Sequence, residues 1–325
     1  MFRALQRFPS RRSVGNAGER QGRIHRIIRG EVPSVKVRGS LRSWIREKRH
    51  WVCTALLFVI LSVLALDHRL VIRRYAIDAD AISSHVRIAL ITDLHSCYYG
   101  EGQTRLLEAL NAQEPDVVLL GGDIYDDQRD NTNTEVFLEG ICGQYPCYYV
   151  TGNHEVWSGE DRFYAMMESL ENRFGIPVLN GETVTLQFGD STVSISGLDD
   201  PDRIRFQNTD RLSQGLKQQM ESLSAEAAKD GYRILLSHRP EYFETEYKNV
   251  PFDLILCGHA HGGQVRIPYL LNGLFAPDQG LFPKYAGGRY DDGARTMIVS
   301  RGLARESTAV PRVFNRPELV IIDLT

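Results

Sequence analysis

The chain has 325 residues, of which 42% are hydrophobic and 24% charged, so its composition is that of a folded protein and not of a disordered one. A net charge of −3 argues against nucleic acid as a partner. The charge is uneven, however, because residues 1–50 carry 14 Lys and Arg against 3 Asp and Glu, which leaves −14 for the rest of the chain. A basic arm therefore precedes an acidic body.

The first element in chain order is an apolar run, Trp51–Leu66, of 16 residues without a charge or a proline. As a helix it would span about 24 Å, somewhat less than the roughly 30 Å hydrocarbon core, and Trp51 and the arginines after the run would extend it. Because the run has no polar face, the sequence predicts a transmembrane anchor over residues 51–72. Residues 1–50 would form a cytoplasmic, partly disordered arm. A buried core helix is the alternative interpretation.

Basic residues flank this run unequally. Within 15 residues of the run, six lie before it and three after it: Lys36, Arg38, Arg42, Arg46, Lys48 and Arg49 on the near side, and Arg69, Arg73 and Arg74 on the far side. The positive-inside rule then favours a single-pass protein of the cell membrane with an extracytoplasmic body, and the cytoplasmic face is the alternative.

In an exported body, Cys142 and Cys147 could form a local disulfide. No CxxC pair is present, which argues against a structural zinc site.

After Arg74 the sequence changes to short apolar runs separated by polar, periodic stretches. Strands are predicted at 86–92, 116–120, 148–151, 183–188, 192–196, 233–237, 254–257, 296–300 and 319–322, and helices at 103–112, 162–174 and 211–229. Gly189-Asp190 is a strong signal for a hairpin between two of these strands. Mixed parallel and hairpin strands with helices between them predict an α/β domain over residues 75–325, with two packed sheets.

Polar side chains follow five of the predicted strands, at the point where each strand ends. They are Asp93 and His95, Asp123 and Asp126, Asn153 and His154, His238, and His259 and His261. Open α/β sheets place their ligand sites at the carboxyl ends of strands. All five histidines that come after His85 lie at these positions, although the chain has nine in total. Each histidine alone is explained as a core or turn residue, whereas the set is not.

The chemistry of this set indicates a divalent metal centre. Imidazoles, carboxylates and one amide, without cysteine, suit Mn²⁺, Fe²⁺/Fe³⁺ or Zn²⁺. A single zinc ion needs only three or four ligands, and seven or eight candidates are present, so two ions are the more economical interpretation. Glycines at Gly121, Gly122, Gly152 and Gly258 would let the strands turn sharply and bring ligands close to the metal.

The five segments, in this order and spacing, resemble the motifs DxH, GDxxD, GNH[DE], H and GHxH of the calcineurin-like metallophosphoesterases. In this chain they read Asp93-Leu94-His95, Gly122-Asp123-Ile124-Tyr125-Asp126, Gly152-Asn153-His154-Glu155, His238 and Gly258-His259-Ala260-His261. The resemblance covers about residues 86–325. With the N-terminal apolar run and Gly262-Gly263-Gln264, the chain is similar to the membrane-anchored bacterial branch of phosphodiesterases. The resemblance implies a four-layer α/β/β/α sandwich of two mixed sheets.

The resemblance also implies a ligand set. One metal ion would be held by Asp93, His95 and His261, the second by Asn153, His238 and His259, with Asp123 bridging both. His154 would lie near the substrate without binding metal tightly. Asp126 is expected to orient His154 or a metal ligand, and the alternative is that it caps a helix.

Two ions about 3.5–4 Å apart would lower the pKa of a bridging water and so give a hydroxide that attacks phosphorus in line with the leaving oxygen. His154 would donate a proton or a hydrogen bond to that oxygen. The sequence therefore predicts a dinuclear phosphoester hydrolase.

The substrate is predicted to be a membrane-proximal or lipid-linked phosphodiester. No long helical cap is left over between Asn153 and His238, so the site is expected to be open. The apolar segment Ile267–Phe282 is expected to form its rim, or alternatively to fold back on the core. One alternative function is a UDP-2,3-diacylglucosamine pyrophosphohydrolase-like enzyme, which would place the body in the cytoplasm. Another is a non-catalytic metal-binding scaffold, which the complete ligand set disfavours.

Overall fold

The computed structural model of the chain describes residues 43, 46, 48–204, 212–227, 231–293, 295–305 and 310–325. The chain divides into two compact units, residues 1–58 and 59–325. In the first unit the described residues from Arg49 onwards are helical and none of them is buried. Most of the predicted arm lies outside the described residues. The second unit contains all the strands described below.

The predicted anchor over residues 51–72 is not one continuous helix. Helix α1 (Arg49–Ala65) has 17 residues, and strand β1 (Val71–Ile77) begins six residues after it ends. Every residue of β1 pairs with a strand from the other end of the chain. Within the described ranges, the structure contains no helix that is long and apolar enough to cross a membrane.

Nine of the twelve described strands that follow β1 match predicted ones. In chain order they are β2 (Val86–Ile91), β3 (Val117–Gly121), β4 (Cys147–Val150), β5 (Glu182–Phe188), β6 (Ser191–Leu198), β7 (Tyr232–Ser237), β8 (Leu254–Cys257), β9 (Phe275–Ala276), β10 (Gly280–Leu281), β11 (Gly288–Asp291), β12 (Thr296–Val299) and β13 (Glu318–Leu324). The helices after α1 are α2 (Thr104–Asn111), α3 (Thr132–Ile141), α4 (Asn153–Trp157), α5 (Glu160–Glu168), α6 (Pro201–Ile204) and α7 (Leu212–Glu226).

The strands form two mixed sheets, which confirms that prediction. The first has the order β1-β13-β2-β3-β4, and only the β13–β2 pair is antiparallel. The second has the order β11-β12-β8-β7-β6-β5, with antiparallel pairs at its two edges. Strands β9 and β10 form a separate small hairpin. The parallel centre of each sheet places the carboxyl ends of its strands at one edge.

The core lies between the sheets and on both of their outer faces. Leu90 of the first sheet and Leu236 of the second belong to one buried cluster between the sheets. Because side chains alternate along a strand, Ile91 points to the opposite face and belongs to a second cluster with α2 and α3. Leu235 and Leu223, from β7 and α7, belong to a third cluster on the outer face of the second sheet. The body is therefore a four-layer α/β/β/α sandwich.

Candidate metal centre

The seven predicted metal ligands come from both sheets. Asp93, His95, Asp123 and Asn153 follow the first sheet's strands β2, β3 and β4, whereas His238, His259 and His261 follow β7 and β8 of the second sheet. All seven are buried. Backbone hydrogen bonds join the first two loops, because the Asp93 and His95 amides donate to the carbonyls of Gly122 and Asp123.

One group of potential ligands consists of Asp93, His95 and His261, whose donor atoms lie within 4.8 Å of one another. The imidazole rings of His95 and His261 have centroids 5.2 Å apart. Asp93 Oδ1 lies 3.9 Å from His261 Nε2 and accepts a hydrogen bond of 2.9 Å from the His259 amide. This group is the one that the resemblance assigned to the first ion.

A second group consists of Asp123, His238 and His259, whose donor atoms also lie within 4.8 Å of one another. His238 Nε2 lies 3.1 Å from Asp123 Oδ2 and 3.2 Å from His259 Nδ1. Asp123 Oδ2 is also 3.7 Å from His95 Nε2, in the first group. One carboxylate oxygen thus lies between the two groups, which is the position that a bridging ligand would occupy.

Unpaired buried atoms provide a test of whether this arrangement fits cations. Five of the seven residues have a buried polar atom without a hydrogen-bond partner: Asp93 Oδ2, His95 Nε2, Asp123 Oδ2, Asn153 Oδ1 and His261 Nδ1. Buried polar atoms are almost always hydrogen-bonded, since leaving one unpaired is costly. Unpaired oxygen and nitrogen atoms clustered at one place are the donor set that divalent ions need, so the residues fit a metal centre.

Three histidines in the centre are each oriented through one ring nitrogen. His95 Nδ1 lies 3.1 Å from Asp126 Oδ2, His238 Nδ1 lies 2.8 Å from the Gly121 carbonyl, and His259 Nε2 lies 3.0 Å from Asp278 Oδ2. Oxygens of this kind only accept, so each of these nitrogens carries the proton. In a neutral ring the other nitrogen carries the lone pair that a cation would bind. The raised pKa of His238 means that a cation would first displace a proton from its Nε2.

His154 has a different environment from the ligand histidines. Its side chain is 23% exposed, and its Nδ1 lies 2.6 Å from Asp127 Oδ1. Its ring lies between His95, with centroids 4.4 Å apart, and Trp157, with centroids 4.9 Å apart. His154 therefore lies beside the first ligand group and is partly exposed to solvent.

Asp126 orients a ligand and not His154. Its Oδ2 meets His95, and its Oδ1 accepts from the Gln128 and Arg129 amides, both at 2.9 Å. The Asp126 side chain thus contacts His95 and not His154, and it closes a turn ahead of α3, whose N-cap is Asn131. Sequence reasoning missed Asp127. No motif marks it, since only the fold of the loop decides which of two adjacent carboxylates faces His154.

Charge in the centre is balanced by its own residues. Burial lowers the pKa of His238, but Asp123, Asp93 and Asp200 outweigh this effect and raise it to about 10. Burial would raise the pKa of Asp123, but His238 and His154 lower it well below its usual value. Burial and His95 lower the pKa of His261, so that imidazole is neutral. The carboxylates thus stay ionised and attract cationic groups.

The backbone of the ligands adopts an uncommon conformation. Five of the seven have a positive φ: Asp93 (51°), His95 (47°), Asp123 (53°), His259 (65°) and His261 (46°). Residues other than glycine rarely adopt this region, and they do so mostly at functional sites. Gly152 is required for a different reason, because a Cβ there would lie 2.3 Å from Asp123 Oδ1.

Glu155 connects the loops that carry these ligands. Its carboxylate accepts hydrogen bonds from the Asp123, Tyr125 and Gly152 amides, at 3.0, 3.0 and 2.8 Å, and from the Tyr149 hydroxyl at 2.6 Å. It is completely buried. Glu155 is therefore a structural residue that fixes the ends of β3 and β4 relative to each other.

The apolar segment that was expected at the rim forms two structures. Residues 266–272 form a loop, and β9 and β10 form a hairpin whose turn carries Asp278. Asp278 accepts from both His259 Nε2 and Arg239 Nη1. Phe275, Leu281 and Phe282 of the hairpin are 46%, 67% and 67% exposed. The hairpin contacts a predicted ligand and displays apolar side chains to solvent.

Cysteine has no part in this centre. Cys142 and Cys147 are both free thiols. Burial raises the pKa of the Cys147 thiol to about 12, so it is protonated at neutral pH.

A two-sheet α/β sandwich with adjoining groups of carboxylates and imidazoles at its strand ends is typical of metal-dependent hydrolases. Comparison with known families identifies the class more closely. Residues 86–263 match the calcineurin-like phosphoesterases, and the chain belongs to that family of metallophosphoesterases, which are hydrolases of phosphoric esters.

Similar proteins come from several bacteria. An uncharacterized metallophosphoesterase of Helicobacter pylori is 27% identical over 60% of this chain and 49% of its own length. One of Campylobacter jejuni is 28% identical over 75% of this chain and 60% of its own length. The phosphodiesterase YaeI of Escherichia coli is 28% identical over 65% of this chain and 71% of its own length. The chain thus spans about half to three fifths of the first two relatives.

Proposed function

We propose that this protein is a phosphodiesterase that uses two divalent metal ions and acts on a membrane-proximal or lipid-linked substrate. The observation that carries the proposal is the cluster of unpaired buried donor atoms on Asp93, His95, Asp123, Asn153 and His261. The preference for diesters is supported by the similarity to the phosphodiesterase YaeI of Escherichia coli.

The residues of the candidate centre would either bind a metal ion or orient a residue that does. Asp93, His95 and His261 would hold one ion and Asn153, His238 and His259 the other, with Asp123 shared. Two divalent ions bound there would lower the pKa of a shared water and offset charge that develops on the phosphate oxygens. Asp126 would hold His95 in its binding orientation.

His154 is the group best placed to act on the leaving oxygen. Its Nδ1 is engaged by Asp127, so Nε2 is the ring atom left to donate a hydrogen bond or a proton. The partly exposed ring allows contact with a substrate that arrives from solvent. Asp127 acts through His154 and is a positioning residue.

A lipid-linked substrate is favoured by the hairpin next to the centre. Asp278 ties the turn of the hairpin to His259, while Leu281 at the end of its second strand and the next residue, Phe282, are exposed. An apolar surface beside a phosphate-binding centre suits a substrate with one charged and one apolar part. The attachment of the chain to a membrane through α1, with an extracytoplasmic body, stays a prediction, and a reporter fused to the C-terminus would test it.

The reaction is tested with the full chain in detergent, stripped of metal by a chelator and reloaded with Mn²⁺, Fe²⁺ or Zn²⁺. We expect metal-dependent hydrolysis of bis-4-nitrophenyl phosphate that exceeds hydrolysis of 4-nitrophenyl phosphate. Asp123→Ala should bind neither ion and lose the activity, whereas Asp190→Ala, at an exposed carboxylate in the β5–β6 turn, should keep it. Preference for the monoester, or activity that survives chelation, would refute the proposal.

The lipid part of the proposal has a separate test. The double variant Leu281→Ser, Phe282→Ser should raise KM for a diacylated phosphodiester and leave hydrolysis of bis-4-nitrophenyl phosphate unchanged. Loss of both activities together would show that the hairpin only supports the centre. No change in either would show that it does not contact substrate.

A further inference from the structure

A loop outside the metal centre exposes apolar side chains at its tip. In residues 266–272, Tyr269 is fully exposed, and Leu270 and Ile267 are 84% and 46% exposed. The loop is nevertheless well ordered by its own hydrogen bonds, because the Leu270 and Leu271 amides both donate to the Ile267 carbonyl, at 3.0 and 2.8 Å. A closed turn that presents apolar side chains to water is typical of a surface that contacts something apolar.

Beneath this tip is a cavity of about 480 Å³ with walls of two kinds. Its lining residues are Arg266, Ile267, Pro268, Tyr269, Leu270, Leu271, Asn272, Arg301 and Phe314. Two of them are arginines and most of the others are apolar. The cavity therefore matches a ligand with an anionic group attached to an apolar one.

The cavity carries an excess of positive charge. Arg301 is paired with Glu318, with Nε and Oε2 2.6 Å apart, and Arg73 lies 3.7 Å from the same carboxylate. Arg266 donates instead to the Gly262 carbonyl and the Asn272 side chain, and no carboxylate of the described residues lies within ion-pair distance of it. Burial and then Arg301 lower the pKa of Arg266 to about 10, and Glu318 offsets only part of this effect. An anion in the cavity would supply one.

The cavity adjoins a second exposed apolar feature of the same unit. The Phe314 amide donates to the Ala65 carbonyl, at 2.7 Å, and so places the C-terminal end of α1 beside the cavity wall. The residues that precede Ala65 are apolar and exposed, with Val63 at 67% and Leu64 at 55%. The end of α1 and the tip of the loop thus form neighbouring apolar surfaces with an arginine cavity next to them.

We propose that loop 266–272 docks on the surface of an anionic phospholipid membrane. Arg266 pairs with a lipid phosphate in the cavity, and Tyr269 and Leu270 enter the boundary between headgroups and acyl chains. Tyrosine is enriched at that boundary, and basic residues near an anionic leaflet are attracted to it. Because Arg266 follows the predicted ligand His261 by five residues, this contact would hold the metal centre close to the bilayer.

The test is hydrogen–deuterium exchange of the full chain in lipid nanodiscs. Exchange of the amides in residues 266–272 is compared between discs of phosphatidylcholine and discs that also contain phosphatidylglycerol. We expect about fivefold slower exchange in the anionic discs, which corresponds to one arginine at the surface. Arg266→Gln should remove this difference, whereas Arg105→Gln, at an exposed arginine of α2, should retain it.

Further variants separate the contributions and the possible ligands. Tyr269→Ser with Leu270→Ser should weaken the protection in both kinds of disc, and Tyr164→Ser, at an exposed tyrosine of α5, should not. Equal exchange in the two kinds of disc would overturn the proposal, as would an unchanged difference in Arg266→Gln. If inorganic phosphate in detergent protected the loop as well as anionic discs do, the site would belong to a soluble anion and the membrane proposal would be wrong.

Discussion

Two adjacent carboxylates, Asp126 and Asp127, have separate partners in the centre. Asp126 faces His95, a predicted metal ligand, and Asp127 faces His154, which is partly exposed. The difference arises because the Gln128 and Arg129 amides hold one oxygen of Asp126, so that its other oxygen points inward. In the proposed reaction, metal binding and proton donation would therefore depend on two adjacent residues of the same loop.

These partners give a matched pair of variants. Asp126→Asn should lower metal affinity by about 10- to 100-fold, since it releases the ring of a ligand. Asp127→Asn should lower turnover and leave the metal content unchanged. Metal content by atomic absorption and kcat at saturating metal distinguish the two. An equal loss of metal in both variants would contradict the assignment.

His154 itself is expected to affect chemistry and not metal binding. His154→Ala should reduce kcat by about 10²- to 10⁴-fold, the usual contribution of a general acid, with both ions retained. In the His154→Ala background, Asp127→Asn should have little further effect, because it acts through that ring. If the metal content of His154→Ala fell together with its activity, His154 would be a ligand.

At this scale the sequence predicts which side chains come together at the sheet edges, but it does not predict their hydrogen-bond partners. Each predicted ligand follows a strand, so its position at the sheet edge can be derived from the chain order. Asp127 and Asp278 cannot be found in this way, because their contacts depend on how a turn folds. The pattern of residue types also does not predict that five of the predicted ligands have a positive φ.

At the scale of secondary structure, the loops after β3 and β4 are joined by the single buried carboxylate of Glu155. It receives four hydrogen bonds, three of them from backbone amides. Asp123 and Asn153 lie in these two loops. The relative position of these two predicted ligands thus depends on Glu155, which is not itself a predicted ligand.

Glu155→Gln should therefore destabilise the fold as well as the site. The NH₂ group of the glutamine cannot accept a hydrogen bond, so at least one buried backbone amide loses its partner. This loss should lower the free energy of unfolding by about 1–3 kcal/mol. Urea unfolding of the metal-free protein measures this change without any contribution from bound ions. A free energy of unfolding equal to that of the unaltered chain would show that the hydrogen bonds are replaceable.

Among the described residues, nine of the thirteen strands and three of the six α-helices after α1 were predicted, and two of the elements that were missed, α3 and β1, share a cause. Helix α3 has the sequence TNTEVFLEGI, in which Thr, Asn and Gly are weak helix formers, and it is stabilised by burial of Phe137, Leu138 and Ile141. Strand β1 has two arginines at its centre and was assigned partly to the anchor. In both cases tertiary packing overrides the local signal.

At the scale of the whole molecule, β1 shifts the boundary of the folded body. The sequence predicted a domain from residue 75, but all seven residues of β1, from Val71, pair with β13. Ahead of it, the Arg316 side chain donates to the Arg69 and Leu70 carbonyls. The body as folded thus includes chain from about Asp67 onwards.

A body that begins at residue 75 should consequently be less stable than one that begins at residue 67. It lacks four of the seven residue pairs with β13 and the side chain of Ile72, which packs on the outer core of the first sheet. We expect a loss of roughly 2 kcal/mol or more in the free energy of unfolding. Thermal unfolding of both bodies checks this, and equal midpoints would show that β1 is dispensable.

The origin of the predicted ligands in two different sheets has a mechanical consequence. Cations bound by residues of both sheets would link the two sheets and oppose any movement of one sheet relative to the other. When the free cation is at a hundredfold excess over its dissociation constant, binding adds about 2.7 kcal/mol to the free energy of unfolding. This corresponds to roughly 5–10 °C in melting temperature. Mn²⁺ should raise the melting temperature of the intact chain by this amount and leave that of Asp123→Ala unchanged. The melting temperature would then report what fraction of the molecules carry their ions.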